Sequence, residues 1–265
     1  NIFCGKPFTL NSEEALSLSK LAKKHKVKGF VGYQMRFQPT RIAIKNFLSG
    51  SDFGNVIETS LRYNFASRIQ SKPNWNWWSL SSKGGGVLNA IGSHQIDLLS
   101  WWLGEPSTVT GILKNHNDKL IDASGKSKKV ETDEIFSAIF EYDNGSISSL
   151  KVSSLALGWK TSYAEIYGEK ASLFLKGEQN LEIFRNTTAK HDVSKVDENL
   201  AFPWVSGSIW RAAFFRQLES ICKNILFNID THAADLTDGY KVHEIMKGLR
   251  KSSSSGNRQS LSFKV

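Results

Sequence analysis

Ile2-Phe3-Cys4-Gly5-Lys6-Pro7 near the start of the chain, and Lys28-Gly29-Phe30-Val31-Gly32-Tyr33 after it, decide how the fold is read. The first run is apolar and stops at Gly5 and Pro7, as the end of a buried strand does. Between the two runs, Asn11 is placed to cap a helix, with Glu14 three residues on as its reciprocal partner. Ala15, Leu18, Leu21 and Ala22 give that helix an apolar stripe at the 3.6 period, and it should end near His25. The second run reads as another short strand. Strand, helix, strand makes a βαβ unit, which implies a parallel sheet.

Working outward, Pro39–Leu48 suits a helix, and residues 56–65 a strand. Residues 66–83 are irregular and hold Trp75, Trp77 and Trp78. A loop with three tryptophans either folds over a core or lines a site. Gly84-Gly85-Gly86 leads into a helix over 87–103, which Gly104-Glu105-Pro106 terminates. Strands are then expected at 108–113, 135–142, 147–155, 163–167, 172–175 and 181–184. Residues 115–131 form a flexible hairpin tip, and Asp143-Asn144-Gly145 a tight turn. Helices at 207–227 and 231–251 close the chain, followed by a loop at 252–256 and a last strand at 261–263. The class is α+β: a short parallel α/β piece, then an open, mainly antiparallel sheet with helices on one face.

The 265 residues are 40% hydrophobic, 22% charged and 11% aromatic, which excludes disordered, collagen-like and coiled-coil chains. No apolar run approaches the ~20 residues that span a bilayer, so no membrane partner is expected. Cys4 and Cys222 make neither a disulfide framework nor a zinc site, and a reducing, cytoplasmic location is inferred. The net charge of +9 is uneven: residues 1–50 hold nine Lys/Arg and two Asp/Glu, a surplus of +7. That surplus reads as a nucleic-acid footprint or as a solvated helix face. The second reading is preferred, and no nucleic-acid partner is expected.

Three groups of residues are suited to chemistry. On the helix at 87–103, Ala90, His94, Asp97 and Trp101 share one face. His94 with Asp97 reads as an oriented acid–base pair or as a structural histidine. Lys6 follows a strand of a parallel sheet, where ligands bind beyond the carboxyl ends; it is a substrate or cofactor contact or a plain surface lysine. Tyr33-Gln34-Met35-Arg36-Phe37 follows the second strand, so Arg36 either binds a polar or anionic ligand or makes an inter-domain ion pair. The three glycines at 84–86 bring backbone N–H groups to a ligand or let the chain turn tightly. The remaining histidines show no ligand spacing, so no metal site is expected.

Cys4-Gly5-Lys6-Pro7, Val31 to Phe37, Gly84 to Asp97, Asp238-Gly239-Tyr240-Lys241-Val242 and Ser252 to Gly256 come in the order of a known family. Over essentially the whole chain the sequence resembles the Gfo/Idh/MocA oxidoreductases, the glucose–fructose oxidoreductase and inositol dehydrogenase group. The resemblance implies an N-terminal Rossmann domain binding NAD or NADP and a C-terminal α+β domain for substrate and oligomer contacts. It places residues 1–37 in the first and 38–265 in the second. It makes Lys6, His94 and Asp97 catalytic. Lys6, Pro7 and Arg36 are then expected at the cofactor, and Tyr33, Arg36, Trp77 and Trp78 at a sugar-like substrate. It implies a homo-oligomer formed through the C-terminal sheet.

The sequence departs from the family pattern in three places. Gly5 stands where the family usually has Glu, and Ala90 where many members have Asp. The Gly-x-Gly-x-x-Gly turn that grips a pyrophosphate is absent, and is expected upstream of Asn1. The expectation is therefore a chain cut inside its Rossmann domain, lacking on the order of 90–120 residues, and inactive by itself. The function implied is hydride transfer between nicotinamide and a sugar, polyol or related alcohol or carbonyl. A non-catalytic ligand-sensing or scaffolding relative is the alternative.

Overall fold

In the computed structural model, which describes residues 1–70, 74–158, 162–185 and 208–264 together with the backbone of 191–195, the N-terminal unit forms as its pattern requires. Strands β1 (Ile2–Cys4) and β2 (Gly29–Val31) pair in parallel, Ile2 opposite Gly29 and Cys4 opposite Val31. Helix α1 (Ser12–Lys24) connects them. The Asn11 side chain accepts the Glu14 amide at 2.8 Å, and the Glu14 carboxylate takes the Leu10 amide at 3.1 Å. Orphan donors at the helix start are thereby satisfied. A 3-10 turn, Gln34–Phe37, leads into α2 (Pro39–Leu48), whose proline stands at the first helical position.

The next elements are β3 (Val56–Asn64), α3 (Ser67–Gln70), a π-helical turn Leu88–Gly92, α4 (Ser93–Leu103) and β4 (Thr108–Lys114). The polar stretch expected as a flexible tip contains a two-stranded ribbon, β5 (Lys119–Ile121) with β6 (Ser127–Lys129). The Asp122 carboxylate organises its turn by accepting the Ser124 and Lys126 amides at 2.9 and 3.0 Å. Then come β7 (Ile135–Glu141), β8 (Ile147–Ser153), β9 (Ser162–Gly168), β10 (Ala171–Lys176), β11 (Asn180–Arg185) and β12 (His191–Lys195). Helices α5 (Ile209–Phe227) and α6 (Leu236–Ser255) and strand β13 (Gln259–Ser260) complete the order. Gly207, expected in the first of these helices, lies outside the described residues.

Nine strands form one sheet in the order β12-β11-β10-β9-β3-β8-β7-β4-β13. Only β3 with β8 is parallel, so the sheet is mainly antiparallel, as expected. Alternate side chains point to opposite faces. Phe136, Phe140, Leu150, Val152, Ile166, Leu173 and Leu181 are buried; on that face α6 packs against β4 and the π-helical turn against β8. Gly92 lets the turn touch the Phe136 ring, and Gly111 lets β4 touch Leu249 of α6. On the other face Ile112, Ile139, Ile147 and Tyr167 are exposed.

Two endings differ from the sequence reading. Helix α6 begins at Leu236 because Asp235 and Asp238 form a reciprocal cap, and it runs through the serines expected as a loop. Gly256, at φ 73°, is the residue that stops it. The Ser252 and Ser253 hydroxyls accept the Gly111 and Leu113 amides of β4 at 3.0 and 2.8 Å. Beyond the short β13 they blunt the sheet edge, and that contact keeps the serines helical. The last strand is Gln259–Ser260, shifted from the expected 261–263. Among the described residues, no helix is long and apolar enough to cross a membrane.

Candidate active site

β1 delivers Lys6 and the π-helical turn receives it. Gly32 donates its amide to the Cys4 carbonyl at 2.8 Å, which brings the two strand ends together. A Cβ on Gly32 would sit 3.3 Å from the Gly5 Cα, so glycine suits this approach. Beyond it the chain turns through Gly5, which has open space beside it, into Lys6 and Pro7, joined by a cis peptide. The Lys6 ammonium donates to the Ala90 carbonyl. Burial lowers the Lys6 pKa from 10.5 to about 8. Acylation of Lys6 followed by mass spectrometry is expected to show a pH midpoint near 8 rather than 10.5. A midpoint above 10 would remove the buried setting.

The turn that carries Ala90 is held from below. The Asp133 carboxylate accepts the Leu88 amide at 2.7 Å, and the Asp133 carbonyl accepts the Val87 amide at 3.0 Å. Asn89 donates to the Gly85 carbonyl at 3.1 Å and accepts from Arg250 at 2.7 Å. The three glycines serve close packing and turning. A Cβ on Gly85 would fall 1.9 Å from the Trp78 carbonyl oxygen, and Gly84 and Gly86 hold φ of 71° and 95°. The wider π-helical turn fits this crowded entry to α4 and is a common feature of functional sites.

His94 is only 3% exposed. Its ring lies edge-on to Tyr33, with centroids 5.8 Å apart. Its Nδ1 and the Tyr33 hydroxyl are buried without a hydrogen-bond partner among the described residues. Burial, and then the Lys6 charge, hold the imidazole well below its usual pKa, so it is neutral at pH 7. Lys6, a donor of lowered pKa, thus lies near enough for its charge to act on the neutral His94 imidazole. Such a pair can stabilise charge on an oxygen and exchange its proton.

Two expected roles are corrected. Asp97 makes no hydrogen bond with His94. Its carboxylate is taken bidentately by Arg36, Nε to Oδ2 at 2.9 Å and Nη2 to Oδ1 at 2.6 Å. Arg36 also donates from Nη1 to Asp238 at 3.1 Å and lies 5.6 Å above the Trp101 ring. Its three nitrogens are engaged and it is buried, so it is a tie between the N-terminal unit, α4 and α6 rather than a ligand contact. The reason is geometric: one helical turn beyond His94, the Asp97 side chain meets the guanidinium that the 3-10 turn brings in. Burial would lower the Arg36 pKa, but Asp97 and Asp238 outweigh it and raise it.

Trp77 is 58% exposed and stands edge-on to Trp78, with centroids 5.9 Å apart. Trp78 is half-buried under the Arg68 guanidinium, 6.0 Å from its ring centre. Arg68 in turn pairs with buried Glu134, which accepts the His116 and Asn117 amides at 2.9 and 3.0 Å. One tryptophan therefore anchors the loop and the other is free to touch a ligand. Sequence reasoning missed Asn89, Asp133, Glu134 and Arg250. A polar residue in the first turn of a helix, such as Asn89, was the one available signal.

A family model described as the GFO/IDH/MocA C-terminal domain matches residues 42–174. An uncharacterised oxidoreductase of Synechocystis is 28% identical over 184 residues, 69% of this chain and 49% of that protein. Inositol 2-dehydrogenase of Rhizobium meliloti is 26% identical over 183 residues, 69% of this chain and 52% of that protein. Among solved structures, levoglucosan dehydrogenase in complex with NADH and L-sorbose superposes with a TM-score of 0.87 at 18% identity, covering 99% of this chain and 73% of that one. The chain spans about half the length of the curated relatives it matches.

Proposed function

The chain belongs to the GFO/IDH/MocA family, and from that premise we propose that it acts as a nicotinamide-dependent oxidoreductase on a sugar, polyol or related alcohol or carbonyl. The observation that carries the proposal is the juxtaposition of Lys6, at the carboxyl end of a parallel strand, with buried His94. We read residues 1–37 as part of the cofactor-binding unit and 38–265 as the substrate and oligomer unit. The Lys6 end fits a nicotinamide: Gly5 leaves open space, and His94 Nδ1 and the Tyr33 hydroxyl have no partner among the described residues. Lys6 and Pro7 would hold that ring. When bound, NAD or NADP supplies the C4 position that accepts or gives hydride.

The chain's own residues do the rest. Lys6 donates to the reacting oxygen and stabilises negative charge as it develops there. Neutral His94 takes the hydroxyl proton in oxidation and returns it in reduction. Exposed Trp77 offers a flat apolar face to the C–H side of a sugar ring. This assignment accords with levoglucosan dehydrogenase, whose solved complexes hold NADH and a sugar. The test is NADH and NADPH binding by the whole protein, followed by turnover on a panel of sugars and polyols. Cofactor binding with turnover of at least one sugar supports the reading; absence of cofactor binding sinks it.

Ala90 favours a second reading. It offers no carboxylate one turn before His94, so a relay through that position is missing. A ligand-sensing relative that binds but does not turn over would fit that loss. Cofactor binding without turnover across the panel would select it.

For assembly, we infer self-association through the open sheet face. Ile112, Ile139, Ile147 and Tyr167 lie exposed there, and the register places Ile139 diagonal to Ile112 across β4 and β7. Ile139→Asp is expected to shift the sedimenting species to monomer, because it places a charge in a desolvated patch. An unchanged oligomer would remove this face from the contact.

A further inference from the structure

Ala90 serves Lys6, but its neighbour Asn89 lines a different space. A cavity of about 780 Å³ lies between the start of α1, residues 81–85, the end of β4 and the outer part of α6. Neither Lys6 nor His94 lines it. Of its three carboxylates one is paired with a cation; the other two are bonded by neutral donors and keep their charge, and Asp133 lies within electrostatic reach of Arg250. Glu13 pairs with Lys247, Glu131 accepts from Ser81, and Asp133 accepts the Leu88 amide. The Asn89 side chain is also used at both ends, by Gly85 and Arg250.

The donors are in surplus. Arg250 gives one bond to Asn89, and its other N–H groups make none among the described residues. Lys114 and Lys251 line the same cavity without an ion pair among the described residues. His243 Nε2 accepts the Thr9 amide at 3.3 Å, so the neutral ring carries its proton on Nδ1. That Nδ1 is buried and has no acceptor among the described residues. Burial keeps this ring neutral by pushing its pKa down to about 4. Three cations without an ion pair among the described residues, Arg250, Lys251 and Lys114, outnumber the two carboxylates without one, Glu131 and Asp133, and that surplus of positive donors suits a ligand made of acceptors.

We propose that this cavity binds a small oxyanion, a carboxylate or phosphate group, through Arg250 and Lys251, with Lys114 at its rim. Arg250 is the main determinant, since its planar fork matches either group. The site is separate from Lys6 and His94 and does not rest on the hydride-transfer reading.

The experiment titrates the protein with inorganic phosphate and, separately, with succinate, at constant ionic strength, by calorimetry. Saturable binding of at least one is expected. Arg250→Gln is expected to weaken it about tenfold or more, a change of about 1.4 kcal/mol. Lys251→Gln and Lys114→Gln, both at exposed lysines, are expected to weaken it about two- to threefold each. They carry the test if Arg250→Gln does not fold. Lys6→Ala should leave it unchanged. Preference for phosphate or for succinate identifies which anion the cavity takes. Absence of saturable binding, equal affinity in the cation variants, or loss on Lys6→Ala would overturn the proposal.

Discussion

If the proposed function holds, His94→Asn is expected to lower kcat for nicotinamide-linked turnover by about 10²–10⁴-fold, the usual contribution of a positioned acid–base group. The argument rests on burial and on what surrounds the ring. His94 is 3% exposed and its Nδ1 has no partner among the described residues. A structural histidine in so dry a place would normally be hydrogen-bonded. The low pKa set by burial and by Lys6 keeps it neutral, ready to accept a proton. Asparagine keeps a polar group there without forming an imidazolium. The measurement is steady-state kinetics on the whole protein with the best substrate of the panel, with the urea midpoint as a control for folding. An unchanged kcat would remove His94 from the chemistry, whatever its effect on stability.

Arg36→Met is expected to destabilise the fold by about 3–5 kcal/mol, because it leaves a buried carboxylate without its partner. Asp97 is fully buried and accepts two charge-assisted bonds from Arg36, at 2.6 and 2.9 Å. Burial pushes its pKa up, and the guanidinium opposes that rise. Removing Arg36 removes that opposing pull, so the folded-state pKa of Asp97 rises further. A carboxyl whose folded pKa lies above its unfolded value favours the fold at low pH. That advantage is lost as pH rises through the window between the two values. The variant should therefore lose the least stability near pH 4 and the most above pH 7, relative to the unaltered protein. Urea denaturation at those two pH values checks it. A loss below about 1 kcal/mol, typical of a surface pair, would show that the tie is not buried in solution.

The two results bear on different parts of one helix. α4 presents His94 to the space beside Lys6 and, one turn later, Asp97 to Arg36. The sequence places both residues on one face, and that spacing predicts an acid–base pair. What it lacks is any sign that Arg36, sixty-one positions away from Asp97, arrives at the same buried spot. A bidentate guanidinium outcompetes a neutral imidazole for a carboxylate.

Chain order alone determined the elements whose causes are local. Asn11 and Glu14 start α1, Pro39 starts α2, and Gly104 before Pro106 ends α4. Alternation along β7 and β8 marks their buried faces. Each is a matter of backbone geometry, capping or side-chain period within a few residues, so it is legible without a fold. The family resemblance likewise implies that Lys6 and His94 share a site. Tertiary structure decided the rest: the insertion of β3 between β8 and β9, the helical course of Ser252 to Ser255 against β4, the Arg36–Asp97–Asp238 tie, and the hold of Arg250 on Asn89. Those outcomes depend on which polar groups are desolvated together, and a buried donor or acceptor takes the best partner within reach, however distant along the chain.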